Sequence, residues 1–255
     1  MKFHSVLLTA TFVVFAHAAQ AALSDAELER IGRRVWQNEC AGTREGLTSW
    51  NAGEDFASLG IGHFIWYVEG RRGPFEESFP PLASFLASHG AKVPDWMRSA
   101  CPWKSHAEFQ GDLHSTRMNE LRDLLAGTIR LQSRFLAERM ESALPKMLRS
   151  APAADRENVR AQFQRLAATG AGTFALIDYV NFKGEGTKPE ERYKGEGWGL
   201  LQVLSGMKGE GPGGPAEFSR SAGAVLERRV QNSPPARNEA RWLPGWKSRV
   251  RSYAE

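Results

Sequence analysis

Cysteine is scarce: the 255-residue chain has two, and no C-x-x-C pair. That excludes a disulfide-dense scaffold and gives no support to redox catalysis. Beyond the first twenty or so residues no apolar run is long enough to span a bilayer, so no transmembrane segment is expected. The G-x-S-x-G elbow, the P-loop and the H-E-x-x-H helix are all missing, which removes their hydrolase, nucleotide-binding and zinc-protease readings. Four histidines follow residue 21 (His63, His89, His106 and His114), without ligand-like spacing. Neither a metal nor another cofactor is therefore expected. Excess charge is small, at +4 with a pI near 9.2. No nucleic-acid motif accompanies it, and a mildly basic surface of this kind fits an acidic polymer.

What is present points to a globular chain, with 42% hydrophobic and 24% charged residues. Residues 1–21 combine one lysine, an apolar run from Val6 to Ala16 and two A-x-A patterns, Ala16–Ala18 and Ala19–Ala21. They read as a secretory signal peptide, so the protein is expected to be periplasmic or secreted. The remainder, 22–255, reads as one domain with two lobes. Export also bears on Cys40 and Cys101: an oxidising compartment favours one disulfide between them, against the alternative of two buried free thiols.

Ser24 and Glu27 form a capping-box pattern that opens a helix. Leu28, Ile31, Val35 and Glu39 follow at i, i+3, i+7 and i+11 of one stripe. Glu39 thus falls on the apolar side of a helix stopped by Gly42. A carboxyl placed there loses solvation, which favours the protonated form that a general acid uses. The competing reading is a glutamate swung outward at the helix end, or paired with Arg34. The next stretch, Gly46–Trp66, carries apolar residues at strand spacing, Gly53 at a reversal, then Glu54, Asp55, Ser58 and Leu59-Gly60-Ile61-Gly62-His63. It reads as a small hairpin or three-stranded sheet. His63 is either catalytic or a structural hydrogen-bonding group.

The rest is read as helical. Short pieces are expected over Pro81–His89 and Lys92–Ser99, a helical lobe from about Ser105, and a long run from Met118 to about Leu148 with a kink or boundary at Pro145. Further helices are expected over Pro152–Ala168, Trp198–Met207 and Ser221–Val230. Thr173–Lys183 is apolar nearly all round, as a central buried helix would be, and ends at Gly184. Its polar exceptions, Asp178 and Asn181, either satisfy core groups or reach a ligand. Eight tryptophans are many for this length; some belong in the core, and others, Trp50 and Trp66 among them, can serve as platforms for sugar faces.

Ser58-Leu59-Gly60-Ile61-Gly62-His63 resembles the Thr-Ile-Gly-(Ile/Tyr)-Gly-His signature of the phage-type lysozymes, glycoside hydrolase family 24. Ala175–Gly184 is similar to that family's central helix, and Leu226–Arg229 with Asn232–Arg241 to its C-terminal helical region. The resemblance implies an α+β, predominantly helical lysozyme-like fold with a small antiparallel sheet lobe over about 39–70 and a helical lobe over about 105–255. It also implies a monomeric glycosidase acting on peptidoglycan or a related amino-sugar polymer. Carried over, Glu39 takes the helix-end glutamate's role as general acid, with Glu45 as the alternative because Glu45-Gly46-Leu47 fits a local pattern. Ser58 takes the threonine's place; the family's hairpin aspartate has no aligned counterpart, and Glu54 or Asp55 lies near its position, with Glu54 taken as the second carboxylate. Trp50, His63, Trp66 and Asn181 become substrate-binding candidates. Alternatives are lytic transglycosylation, cleavage of chitin or chitosan, and a non-catalytic glycan-binding protein of the same fold.

Overall fold

The computed structural model describes residues 23–73 and 75–255, so the signal-peptide reading of 1–21 lies outside the described residues. Helix α1, Asp25–Cys40, begins as its sequence requires. The Ser24 hydroxyl accepts the Glu27 amide at 3.3 Å, and the Glu27 carboxylate accepts the Ser24 amide at 2.9 Å. Leu28, Ile31 and Val35 are buried along one stripe. The helix ends on two successive left-handed residues, Ala41 and Gly42, whose amides both return to the Trp36 carbonyl. That reversal sends the chain through a 3-10 turn, Glu45–Leu47, into the sheet.

Strands β1 (Thr48–Ser49), β2 (Phe56–Leu59) and β3 (Phe64–Tyr67) form one antiparallel sheet in chain order. Thr48 pairs with Leu59 and Phe56 with Tyr67, and Gly53 falls in the first turn. The second turn is tied to the helices. Gly60 sits at φ 72°, and a Cβ there would stand 2.4 Å from the Oε1 of Gln132. The buried Gln132 uses that oxygen to accept the Ile61 amide at 3.0 Å. Glycine is required at this corner both for its backbone angle and for the approach of Gln132.

The helices follow: α2 (Phe79–Ser88), α3 (His106–Asp112), α4 (Thr116–Gly127), α5 (Ile129–Ser150), α6 (Arg156–Ala167) and α7 (Gly170–Lys183). A minimal hairpin, β4 (Arg192–Tyr193) with β5 (Glu196–Gly197), leads to α8 (Leu200–Gly206), α9 (Gly214–Asn232) and α10 (Leu243–Arg251). The fold is α+β and mostly helical. At 22 residues, α5 is about 33 Å long and packs against α1, α2, α6 and α7. One apolar cluster runs from the sheet through to α9. The α7 segment from Gly172 to Tyr179 is buried on all sides, as its composition requires.

Several expectations are corrected. The long helical run breaks at Thr128, between α4 and α5, and not at Pro145. Pro145 lies on the exposed side of α5, where the packing of Ala143 and Met147 carries the helix across the lost backbone bond. Lys92–Ser99 forms only a 3-10 turn, Asp95–Arg98. No disulfide joins Cys40 to Cys101; both are buried free thiols. The Cys40 thiol faces the Gly60 carbonyl at 3.5 Å, whereas Cys101 faces the carbonyl of Trp103 at 3.5 Å. Burial pushes the Cys40 thiol up to about 12 and the Cys101 thiol up to about 11. Trp66 is corrected too. It is 1% exposed and packed among Phe79, Trp96 and Trp103, so its ring has no face left for a sugar.

Candidate functional site

Glu39 is the centre of the site. It stands on the last turn of α1, on the stripe that its spacing assigns, and its side chain is 14% exposed. Its Oε1 accepts from Asn181 Nδ2 at 3.0 Å and from an Arg249 guanidinium nitrogen at 2.5 Å. Its Oε2 lies 3.5 Å from His63 Nδ1. One carboxylate thus gathers partners from the end of α7, from α10 and from the turn that follows β2. Arg34 is not among them, because it donates to the Ser252 carbonyl at 2.8 Å and lies over the Phe174 ring.

Arg249 is shared with a second carboxylate. Its Nε donates to Asp178 Oδ2 at 2.8 Å and its terminal nitrogen to Oδ1 at 2.8 Å. Asp178 has no exposed surface. It also accepts from the Tyr253 hydroxyl at 2.6 Å and from Asn38 Nδ2 at 3.2 Å. Both of its oxygens are saturated, so the structural role of Asp178 prevails over a ligand-binding one. Burial works against the charge on Arg249, but Asp178 and Glu39 outweigh it and raise its pKa. Asp178 accordingly fixes Arg249, and Arg249 fixes Glu39.

His63 has a left-handed backbone, with φ 49°. Burial depresses its pKa; the charges of Glu39 and Glu54 and a hydrogen bond to the Gly46 backbone oppose that, while Arg249 adds to it. The neighbouring Gly62 leaves room for Asn181. A Cβ at position 62 would meet Phe64, Leu136 and, at 3.3 Å, the Asn181 side-chain oxygen. The glycine-rich turn of the signature thus lets the α7 terminus close on the sheet.

The remaining candidates divide clearly. Glu54 is half-buried on the β1–β2 turn, held through a 3.2 Å bond from Asn51 to its Oε2, and near enough for its charge to act on His63. Ser58, in the middle of β2, is 6% exposed. Glu45 is exposed on the 3-10 turn, and none of the bonds at Glu39 reaches it. Trp50 is 5% exposed; its indole nitrogen donates to the Glu54 carbonyl at 2.8 Å and its ring packs on Phe109. It shapes the Glu54 turn and offers no stacking face. Asn181 holds Glu39 rather than standing free. Sequence reasoning misses Arg249, although a signal exists: Trp246, Arg249, Val250 and Tyr253 form one helical stripe, as Glu39 does in α1.

Comparison with known proteins leaves the geometry to stand alone. No family model matches the chain, and no match was found among curated proteins or solved structures. A cavity of about 500 Å³ lies elsewhere, between β3, the loop 69–77 and Cys101. It contains Glu77, but that carboxylate accepts the Tyr67 amide at 2.9 Å. Among the described residues no cluster of His, Cys, Asp and Glu is arranged to hold a metal.

Chemically, the arrangement holds the Glu39 carboxyl in one orientation, and its ion pair with Arg249 works against the desolvation that the helix stripe alone implied. Oε1 is occupied by two donors, which leaves Oε2 as the oxygen for a transferable proton. Glu54 has a single weak protein donor, Asn51, so it remains available to a water or a developing cation.

Proposed function

We propose that this protein is an exported glycosidase that cleaves the glycan strands of peptidoglycan, with Glu39 as general acid. The observation that carries this reading is the orientation of Glu39: Asn181 and Arg249 hold Oε1, and Oε2 is left toward His63 and the sheet. A glutamate retained merely for solubility would not draw partners from three separate elements. Oε2 would protonate the leaving glycosidic oxygen. Glu54 would direct a water to the opposite face of the sugar or stabilise the oxocarbenium-like transition state. Glu39 at its helix end, the turn that carries the Ser58–His63 motif and the end of the central helix α7 meet at one place, which supports the reading, and hydrolysis is preferred to single-acid transglycosylation because Glu54 shares the neighbourhood of His63.

The test is digestion of purified peptidoglycan with products read by mass spectrometry. Wild type should release fragments with reducing ends, and Glu39→Gln should lose about 10²–10⁴-fold, the range for a positioned general acid. Glu45→Gln should retain activity. Anhydro-sugar ends would replace hydrolysis by transglycosylation. An inactive wild type that still binds the polymer would make this a glycan-binding protein.

A further inference from the structure

Lys183 is the last residue of α7, two positions beyond Asn181, and the acid–base reading of the site does not use it. It is half-buried and makes no hydrogen bond or ion pair with any described residue. Its ammonium instead lies against two ring faces, 3.9 Å from the Phe182 centroid and 3.5 Å from that of Trp246. Ring faces attract a cation but do not replace the three acceptors that an ammonium uses in water. An amine left in this condition is costly unless something else completes its coordination.

The charges around it do not complete it. Arg249 on α10 is committed to Glu39 and Asp178, and Arg229 on α9 is held by both oxygens of Glu239 at 2.8 and 2.9 Å. Glu239 in turn accepts from the Tyr193 hydroxyl at 2.8 Å. Both guanidiniums push Lys183 toward its neutral form, while Glu239 and Glu39 favour its charge. These carboxylates are already paired, so the missing acceptor must come from outside the chain. Lys183 offers one amine without an acceptor among the described residues, which matches a singly charged carboxylate better than a doubly charged phosphate; Arg241, likewise without a hydrogen bond or ion pair among them, lies farther out, 4.4 Å over the Trp242 ring. Trp242, 44% exposed, lies 6.0 Å from Trp246 at 32° and extends the aromatic surface outward from the amine. An apolar ring next to an amine that lacks acceptors suits a sugar that bears an acidic substituent, whose carboxylate would hold the proton on that amine.

We propose that Lys183, backed by Trp246, is a subsite for a carboxylate carried by the substrate, and that it makes the site selective for an acidic amino-sugar polymer over neutral chitin. This rests on the glycosidase reading above.

The probes are two muramic-acid-containing tetrasaccharides, one with the lactyl carboxylates free and one with them converted to methylamides. Binding is measured by calorimetry to Glu39→Gln protein, which keeps them intact. The free acid should bind about tenfold more tightly, the factor that one charge-assisted hydrogen bond supplies. Adding Lys183→Met should erase that preference while leaving the methylamide's affinity unchanged, and Lys183→Arg should keep most of it. Equal affinity for the two probes overturns the subsite, as does a Lys183→Met effect of the same size on both. If wild type digests peptidoglycan but shows no preference, the subsite alone falls. If wild type neither digests peptidoglycan nor binds either probe, the glycosidase reading falls and the subsite with it.

Discussion

Replacing Arg249 with methionine should destabilise the protein far more than a surface charge would. Asp178 has no exposed surface, and Arg249 supplies two of the four hydrogen bonds to its carboxylate. Arg249→Met keeps most of the side-chain volume but strands that carboxylate with Tyr253 and Asn38 alone, and releases Glu39 as well. Removing one partner of a buried pair costs about 3–5 kcal/mol, because the other charge stays buried without compensation. In a chain of this size that is a fall in Tm of roughly 10 °C or more. Asp178→Asn should cost less, about 1–3 kcal/mol, since Arg249 keeps Glu39 and the amide oxygen can still accept. The decisive measurement is the double variant in a urea-unfolding cycle. With both charges gone, Arg249→Met with Asp178→Asn should be more stable than the sum of the single losses predicts, by about 1–3 kcal/mol. An Arg249→Met loss below about 1 kcal/mol, or strict additivity in the cycle, would refute the idea that Asp178 exists to fix Arg249.

The thiols give a direct check of the fold: Ellman's reagent should find none rapidly reactive in the native protein and both in guanidinium without reductant, whereas a disulfide would show neither. Lys183 gives a pH test. Burial first, then Arg229 and Arg249, hold its folded-state pKa down to about 6, against an ordinary lysine value of 10.5. The unfolded chain therefore binds the extra proton between those values, so this residue's contribution makes stability rise with pH across that window and is lost as pH falls toward 6. Urea midpoints taken at intervals from pH 6 to 9 should rise less steeply in Lys183→Met than in wild type, and identical slopes would show that Lys183 is not desolvated.

Much of the site was legible because it lies on helical stripes and in a short glycine-bearing turn. A glutamate at i+4 from Val35 falls on the apolar stripe, which pointed to the buried reading over the outward one that the structure excludes, and Gly53 marked the first reversal of the sheet. The all-round apolar character of 173–183 likewise required a central helix. Other features had no local signature. The fate of Cys40 and Cys101 depended on where two distant segments came to rest, and even count and compartment say nothing about that distance. Trp66 and a sugar-binding tryptophan have the same local signal, an aromatic on a short strand; only the covering of β3 by Phe79, Trp96 and Trp103 made Trp66 core.

By itself the sequence determined the fold class, the capping and phase of α1 and a small antiparallel sheet after it, and hence the stripe on which Glu39 lies. These follow from interactions between residues a few positions apart, where helical and strand periods fix geometry. The tertiary structure alone decided that Arg249, 210 residues away, would orient Glu39, that Asp178 would lock Arg249, and that Lys183 would be left against two aromatic rings. Such choices arise when α1, α7 and α10 pack together: charge pairing at the junction of three helices depends on their relative placement, which no single segment encodes.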